Sequence, residues 1–340
     1  MADSKASRPT AGNTNWDEVR LHVVTGKGGT GKTTVAASLA LALASGGKSV
    51  LLCEVEGRQG IARLFDVPPL PYEERRIASG PNNGGDVYAL AIEPESALLE
   101  YLAMYYRLGR AGRALDRFGV IDFATTIAPG LRDVLLTGKV YEAAHRNKRS
   151  KNARHYDAVV LDAPPTGRIT QFLNVNGELA GLAKVGPVRN QADTVMTLLR
   201  SPRTAVHLVT VLEDMPVQET SDGIEQLRTA KLPVGGVIVN MARPEELDEG
   251  ARDMAIRGDL PRAQIEEGLS AASLKSTPQL VDALLREALE HAERRALEDE
   301  QRKHIDKFDV PTYELSRVPG GVDLGGLYEL AADLCEQGMA

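Results

Sequence analysis

The stretch "TGKGGTGKTT", Thr25 to Thr34, decides the fold class of this 340-residue chain. The apolar run "VRLHVV" comes before it, and the Ala/Leu-rich stretch "VAASLALALAS" comes after it, which is typical of a helix that ends at Gly46-Gly47. The next apolar run, "VLLCEVE", predicts a second buried strand. Strand, glycine loop, helix and strand in succession indicate a βαβ unit, and therefore a parallel sheet.

The rest of the chain repeats this alternation of strands and helices. Further strands are predicted for "DVYALAIEPE", "YDAVVLDAPPTG", "TAVHLVTVLE", "VGGVIVN" and "DVPTYEL". A long helix is predicted from Ser276 to Lys307, with Thr277 as its N-cap and Pro278 at the first helical position. We therefore predict an α/β fold, doubly wound, with a mainly parallel sheet and helices on both faces.

The chain shows no internal repeat and no long linker. Residues 1–18 are small and polar, which predicts a disordered tail. Residues 19–340 are predicted to form a single domain, with helical insertions at about 95–150, 168–203 and 243–307.

Bulk properties exclude several classes of function. The formal net charge is −7, which argues against general nucleic-acid binding because that needs a basic face. The start lacks the apolar centre of a signal peptide, and no apolar run approaches the length of a membrane span. The two cysteines, Cys53 and Cys335, lie far apart, as expected for a reduced, cytoplasmic protein.

The opening stretch fits the phosphate-loop pattern G-x-x-x-x-G-K-[ST] in full. Its glycines let backbone N–H groups curl around a polyphosphate, and the next helix points its N-terminus at the same charge. In this pattern Lys32 reaches the β- and γ-phosphates and Thr33 is a Mg²⁺ ligand. A chance glycine-rich turn is the alternative, which the position between strand and helix disfavours. The predicted ATP-binding residues are Gly26, Lys27, Gly28, Gly29, Thr30, Gly31, Lys32, Thr33 and Thr34.

Lys27 is a second lysine, which the pattern does not require. A phosphate loop that begins "GKGG" resembles the deviant Walker A loop of a class of dimeric ATPases. The resemblance implies that Lys27 crosses a dimer interface and contacts the nucleotide of the partner subunit. The alternative is an ordinary solvated lysine.

The segment "YDAVVLDAPPTGRITQFL" narrows the family. It resembles the second switch of the arsenite-pump (ArsA) and guided-entry (GET) targeting ATPases, with Asp162, Pro165-Thr166-Gly167 and Phe172-Leu173 in the matching places. Asp162 ends a predicted buried strand beside the phosphate loop, where a Mg²⁺ ligand acting partly through water belongs. The alternative is an Asp that caps a turn.

The resemblance covers residues 20–340 and implies two further nucleotide contacts. The segment "VLEDMPVQETSDG" is similar to a family segment that matches Glu213 and Glu219, and the resemblance makes Glu213 a predicted ATP-binding residue. The strand "GVIVN" ends in Asn240, which the resemblance assigns to the adenine edge, since an amide has the paired donor and acceptor needed. Asn240 could equally cap the following turn.

The first switch departs from the family. The family pattern is Asp-Pro-Ala-His-Ser-Leu, whose Asp orients the attacking water, and this chain has Glu56-Gly57-Arg58-Gln59-Gly60-Ile61. Glu56 is longer by one methylene, and a misplacement of about 1 Å can cost about 100-fold in rate, so we expect slow hydrolysis. Glu54, on the same strand face, is a competing carboxylate.

Metal and client binding also depart from the family. Cys53 and Cys335 do not offer the Cys-x-x-Cys zinc clasp or an arsenite site, so no zinc site is expected. A groove for membrane helices would have to come from Met196 and from "ALLEYLAMYYRLG", residues 97–109. Core packing is the commoner explanation for both. The basic run at 146–151 could contact acidic lipid or a partner, or be a solvated loop.

The sequence therefore predicts an ATP-binding, ATP-hydrolysing dimer of the ArsA/GET-like class that handles client or membrane proteins. Its predicted catalytic residues are Lys27, Lys32, Glu56 and Asp162. The predicted partner is a second ArsA-like subunit, identical or not, and the predicted location is cytoplasmic or peripheral at the membrane. The alternatives are a weakly hydrolysing regulatory subunit paired with a non-identical relative, and a partition-type positioning ATPase.

Overall fold

The computed structural model describes residues 16–106, 130–146, 153–182 and 187–340. Strands in these ranges form one eight-stranded sheet in the order β3-β4-β2-β5-β1-β6-β7-β8. Their bounds are β1 (Leu21–Gly26), β2 (Val50–Glu54), β3 (Arg75–Ser79), β4 (Asp86–Ala91), β5 (Ala158–Asp162), β6 (Thr204–Thr210), β7 (Val234–Ala242) and β8 (Thr312–Ser316).

Helices cover both faces of this sheet. The helices of the described residues are α1 (Lys32–Ser45), α2 (Gly60–Leu64), α3 (Pro94–Tyr106), α4 (Leu131–His145), α5 (Thr166–Leu182), α6 (Pro187–Leu199), α7 (Asp214–Thr229), α8 (Glu249–Arg257), α9 (Arg262–Ala271), α10 (Pro278–Ile305) and α11 (Leu324–Glu336). One core lies between the sheet and α1 and α11, and the other lies between the sheet and α4 to α7. The structure confirms the predicted doubly wound architecture.

Parallel pairing explains why the central strands are apolar throughout. Every strand pair is parallel except β3 with β4. All residues of β1, β2, β5 and β6 are buried, because each of these strands has helices above and below it. The sequence therefore shows continuous apolar runs there in place of alternation.

The strand order places the functional loops together. β1 lies at the centre, between β5 and β6. Val24 of β1 is the register partner of Asp162 on β5, and Gly26 is the partner of Val209 on β6. The carboxyl ends of neighbouring parallel strands meet at one edge of a sheet, and the change in winding direction at β1 opens a crevice there.

The two outer strands are closed in different ways. β3 is antiparallel to β4, carries the exposed Arg75 and Arg76, and has a register shift after Arg76. On the opposite edge, the Gln337 side chain binds the backbone of Glu314 on β8. The Glu314 N–H donates to Gln337 Oε1 at 2.8 Å, and Gln337 Nε2 donates to the Glu314 carbonyl at 2.7 Å.

Some local predictions are confirmed and others are corrected. Thr277 caps α10 as predicted, since its hydroxyl accepts the Leu280 N–H at 3.2 Å. β3 was not predicted, because "RRIAS" is exposed and charged at its start. Residues 16–18 were predicted to belong to the tail, whereas they form a 3-10 turn with Trp16 buried. Residues 1–15 lie outside the described residues.

Candidate nucleotide site

The phosphate loop joins β1 to α1 at the carboxyl edge of the sheet. Gly29 and Gly31 have φ values of 91° and 85°, a left-handed backbone that favours glycine. The Thr30 hydroxyl donates to the Lys27 carbonyl at 2.9 Å and closes the turn from within. At Gly26 the backbone lies so close to the Val209 carbonyl that a Cβ does not fit. The loop is therefore shaped by backbone contacts of the chain itself.

The N-terminus of α1 is open to an anion. Its N-cap is Gly31, which provides no side-chain cap, and the first turn contains no acidic residue. N–H groups in the first turn of a helix have no intrahelical partner, and the helix dipole favours negative charge there. Lys32, Thr33 and Thr34 in this turn are half-buried, and Gly28 and Gly29 opposite are exposed. This arrangement fits a polyphosphate.

Thr33 and Asp162 come together beside that N-terminus. The Thr33 hydroxyl donates to Asp162 Oδ2 at 2.7 Å, so two oxygen atoms of the type that Mg²⁺ prefers lie side by side. Burial raises the pKa of Asp162 to about 6, against the opposing effects of the Thr33 hydrogen bond and the Lys32 charge. The Glu54 and Glu56 charges raise the pKa further. A nearby cation would stabilise the charged form of such a buried carboxylate.

The two carboxylates of the first switch have different surroundings. Glu54 is 2% exposed and is the register partner of Asp162 on the adjacent strand. Its two oxygens accept the Gly60 and Ile61 N–H groups, each at 3.4 Å, at the start of α2. Glu56 is half-buried and its Oε2 lies 3.6 Å from Arg58 Nε. Glu56 is thus the more accessible of the two, and its role in orienting water stays a prediction.

Asn240 lies against the phosphate loop. It is 4% exposed, and its Nδ2 donates to the Thr30 carbonyl at 2.9 Å. Gly31 is so close to this amide that a Cβ there would clash with it. This contact ties the end of β7 to the loop, which is a role that sequence patterns did not indicate. The adenine contact assigned to Asn240 stays a prediction.

Lys27 contacts Glu219 of α7, and Glu213 comes directly before that helix. Lys27 Nζ forms an ion pair with Glu219 Oε1 within the chain, and both side chains are about one-third exposed, at 31% and 36%. Glu213 is exposed at the N-cap position of α7. The structure thus gives Lys27 a partner within its own chain, and its contact with a second subunit stays a prediction.

The second switch is anchored to β1 by a hydroxyl group. The Thr25 hydroxyl donates to the Pro164 carbonyl at 2.7 Å, a contact that the sequence analysis missed. Its only signal was a threonine at the end of an apolar strand. Thr166, which begins α5, is buried, and Phe172 and Leu173 are core residues with 1% exposure. The aromatic-Leu pair therefore fixes α5 to the sheet.

The residues considered for a client groove are not those of the phosphate loop or the two switches. Met196 is 6% exposed and belongs to the core, which agrees with the core-packing explanation and leaves it unavailable to line a groove. Residues 107–109 of the other candidate segment, and residues 147–151 of the basic run, lie outside the described residues. Among the helices that the structure describes, none has the length and apolar composition required to cross a membrane.

Comparison with known proteins agrees with this site. A family model for the anion-transporting ATPases of the ArsA type matches residues 19–201, which is more than half of the chain. ATPase BagA of Mycobacterium tuberculosis is 54% identical over 321 residues, or 94% of each chain. ATPase GET3 of Kluyveromyces lactis is 27% identical over 261 residues, which cover 67% of this chain and 73% of GET3.

A longer relative shows the same likeness over half of its length. The arsenical pump-driving ATPase of Acidiphilium multivorum is 24% identical over 325 residues, which cover 90% of this chain and 53% of that protein. The residues that the family model matches contain the phosphate loop, and these relatives are ATPases by name. The chain therefore belongs to the ArsA family of anion-transporting ATPases.

Proposed function

We propose that this chain binds and hydrolyses ATP and dimerises when ATP is bound. The observation that carries this proposal is the hydrogen bond between Thr33 and Asp162 beside an uncapped helix N-terminus. Oxygen ligands, backbone N–H groups and the Lys32 ammonium then surround one volume, which is the requirement for holding a triphosphate. Family membership gives the same reaction class.

The chain's own groups would act mainly by electrostatics. Backbone N–H groups of Gly28 to Thr33 and the Lys32 ammonium would bind phosphate oxygens and stabilise the charge that moves toward the leaving group. Mg²⁺, when bound by Thr33 and by Asp162 partly through water, would neutralise phosphate charge. Glu56 would accept a hydrogen bond from the attacking water and orient it toward the phosphorus.

Dimerisation is supported by the place and surroundings of Lys27. Its side chain is 31% exposed at the rim of the loop, so it is accessible to a second subunit. The Glu219 carboxylate holds it in the free chain, and exposed ion pairs of this kind are weak, about 0.2–1 kcal/mol. A nucleotide phosphate of the partner subunit, with a larger negative charge, would displace Glu219.

The test compares lysines at the two ends of α1. ATP affinity, phosphate release and mass in solution would be measured with Mg²⁺ for Lys32→Ala, Lys27→Ala and Lys48→Ala. We expect Lys32→Ala to lower turnover by about 100-fold or more. Lys27→Ala should keep ATP affinity within about three-fold and lose the ATP-dependent dimer, since a contact made only in the dimer does not help the monomer bind.

Lys48 is the matched control, because it lies just beyond the C-terminal end of α1 and binds Asp17 at 2.6 Å. Its replacement should leave affinity, turnover and mass unchanged. Loss of ATP binding in Lys27→Ala with dimerisation intact would show that Lys27 serves its own subunit.

A regulatory subunit of a hetero-oligomer is a second candidate. It is favoured by the first switch, where Glu54 is occupied by α2 and Glu56 lies 3.6 Å from Arg58. In this reading the chain binds ATP but hydrolyses it slowly until a non-identical ArsA-like subunit joins it. Turnover of the pure protein equal to that of its active relatives would rule this out.

The work that hydrolysis supports would be the handling of a client, which we propose to be a membrane protein. The support is the family resemblance, including the similarity to GET3. Binding of a fluorescent apolar helical peptide would be measured with ATP, with ADP and without nucleotide. Equal affinity in all three conditions would contradict coupling between nucleotide and client.

A further inference from the structure

The segment between β2 and β3 contains residues 59–72, here called the connector, and residues 59–70 of it form a closed loop. The Gln59 side chain closes it by binding both backbone groups of Leu70. Gln59 Nε2 donates to the Leu70 carbonyl at 3.0 Å, and the Leu70 N–H donates to Gln59 Oε1 at 2.7 Å. Because one planar amide makes both bonds, Gln59 and Leu70 are held at a fixed distance and orientation. Tyr72 follows Leu70 by two residues.

The near end of the connector touches the nucleotide site. A Cβ built on Gly60 would lie 3.1 Å from the Thr33 methyl group, so the Gly60 backbone rests directly on the residue that ends the phosphate loop. The same end is tied to the sheet by Glu54, which accepts the Gly60 and Ile61 N–H groups. A shift of Thr33 or of the first switch would therefore press on the connector.

The far end of the connector holds two helices of the insertion. The Tyr72 hydroxyl donates to Glu100 Oε2 on α3 at 2.6 Å. Lys139 on α4 donates to both oxygens of Glu100, at 2.8 and 2.9 Å, and its Nζ lies 5.6 Å from the centre of the Tyr72 ring. The Lys139 side chain is 11% exposed and the Glu100 side chain is 37% exposed, so the pair is shielded from solvent on the lysine side.

A second polar cluster of this insertion has a different arrangement. The Tyr156 hydroxyl donates to Glu74 Oε2 at 2.7 Å, and Arg146, at the end of α4, donates to Glu74 Oε1 at 2.6 Å. This cluster joins α4 to the segments before β3 and β5 and contains no residue of α3. Glu142 of α4 lies 2.7 Å from Arg146 and 3.3 Å from Lys139, so it links this cluster to the Tyr72 cluster. The Tyr156 cluster is similar in chemistry, and its own residues lie outside the connector.

We propose that the connector transmits nucleotide occupancy from Thr33 and the first switch to α3 and α4 through the Tyr72–Glu100–Lys139 cluster. This inference rests on the proposed function only in requiring that the chain binds ATP. Tyr72 is a positioning residue in this scheme, since it touches neither the nucleotide nor the metal ligands. Coupling of this type is a difference in free energy between two arrangements that the ligand and the cluster both bias.

The test measures hydrogen exchange in the α3 and α4 peptides of the full chain, with and without ATP and Mg²⁺. The variants are Tyr72→Phe, Lys139→Met and, as matched control, Tyr156→Phe, which removes the same atom from the same kind of bond. Calorimetry on the same samples would give ATP affinity. In the unaltered chain we expect ATP to change exchange in both helices.

Tyr72→Phe should reduce the ATP-dependent change in both helices by at least half and leave ATP affinity within about two-fold. Lys139→Met keeps the bond between Tyr72 and Glu100, so it should reduce the change in α4 and retain it in α3. Tyr156→Phe should retain both changes, which separates coupling from general loosening.

Three results would overturn the inference. They are an unaltered chain that binds ATP with no change in α3 or α4, a full response in Tyr72→Phe, and an equal loss in Tyr156→Phe. In each of these the chain still binds ATP, so the proposed function stands. A chain that binds no ATP would overturn both.

Discussion

The two ends of β1 satisfy opposite requirements. At its start His22 is fully buried and stacks on His207 of β6, with ring centres 5.4 Å apart and Nδ1 and Nε2 3.1 Å apart. Trp16 covers the pair and donates to the Tyr313 hydroxyl at 2.9 Å. At its other end, five residues of loop separate Gly26 from α1, and the backbone N–H groups there have no side-chain cap.

The two ends of β1 show that burial and ligand binding require different side chains. The start of β1 is filled by aromatic rings, and burial lowers the pKa of His22 to about 3 and the pKa of His207 as well, so both rings stay neutral. The end of β1 omits side chains so that polar groups stay available to a ligand. The start of β1 therefore contributes to folding stability. Its other end keeps backbone N–H groups without protein partners, which favours ligand binding at some cost in stability.

The largest expected effect comes from replacing Asp162, at the carboxyl end of β5, the strand next to β1. Asp162→Asn should lower ATP turnover by about 100- to 1000-fold, since it removes a charge from the metal site. The same change should leave the free energy of unfolding at pH 8 equal or raise it by about 1–3 kcal/mol, because burial of the charged form is costly when the folded pKa is near 6. Phosphate release and urea unfolding would measure both.

Asp157 is the control, because it lies just before β5 and its Oδ2 accepts the Ser49 N–H at 3.0 Å. Asp157→Asn should leave turnover within about two-fold, as an amide oxygen can accept the same bond. A comparable loss of turnover in both variants would mean that Asp162 acts through the fold.

The next effect concerns the histidine pair. Both folded pKa values lie below the unfolded value near 6.5, so the unfolded chain binds more protons below that pH. Stability from the neutral rings is thus fully present above about pH 6.5 and is lost as the pH falls below it, by about 1.4 kcal/mol per pH unit and ring, and for His22 this loss continues to about pH 3. Urea unfolding at pH 7.5, 6 and 5 would measure the slope.

Replacing His22 and His207 together by leucine should flatten this slope. Replacing His304, which is exposed on α10, should leave the slope as it is. A double variant with an unchanged slope would mean that other groups cause the acid sensitivity.

The smallest effect tests the shape of the phosphate loop. Gly31→Ala should lower the free energy of unfolding by about 1–3 kcal/mol, because alanine is strained at a φ of 85° and its Cβ would displace the Asn240 amide. Gly28→Ala is the control in the same loop, since a Cβ there meets no atom within 4 Å. Equal losses in the two variants would contradict a preformed loop.

The sequence predicted elements whose signals are local. The phosphate loop, the position of Asp162 at a strand end, and the Thr277 cap each depend on spacing within a few residues. The ion pair between Lys27 and Glu219 joins residues 192 positions apart, and the amide of Asn240 meets Thr30 across 210 positions. Packing of the whole sheet creates such contacts, and no local pattern indicates them.

The features that were not predicted likewise lack a local signal in the sequence. β3 escaped notice because an outer strand with one exposed side does not need an apolar run. The Gln59 closure has no sequence signal, since its bonds go to the backbone of Leu70, and every residue type except proline provides the same two groups. The family resemblance gave the site residues their expected roles, but it contained no information on Glu54, which differs in surroundings from Glu56.

The closure of both outer strands limits how copies of this chain can assemble. Two arginines and a register shift on β3 oppose the addition of a strand, and the Gln337 amide already occupies the Glu314 backbone groups on β8. Each of the two described edges therefore opposes the addition of a strand from a neighbour, which disfavours edge-to-edge aggregation. A second subunit would have to approach through a face built of loops and helices, and the crevice that holds Lys27 belongs to such a face.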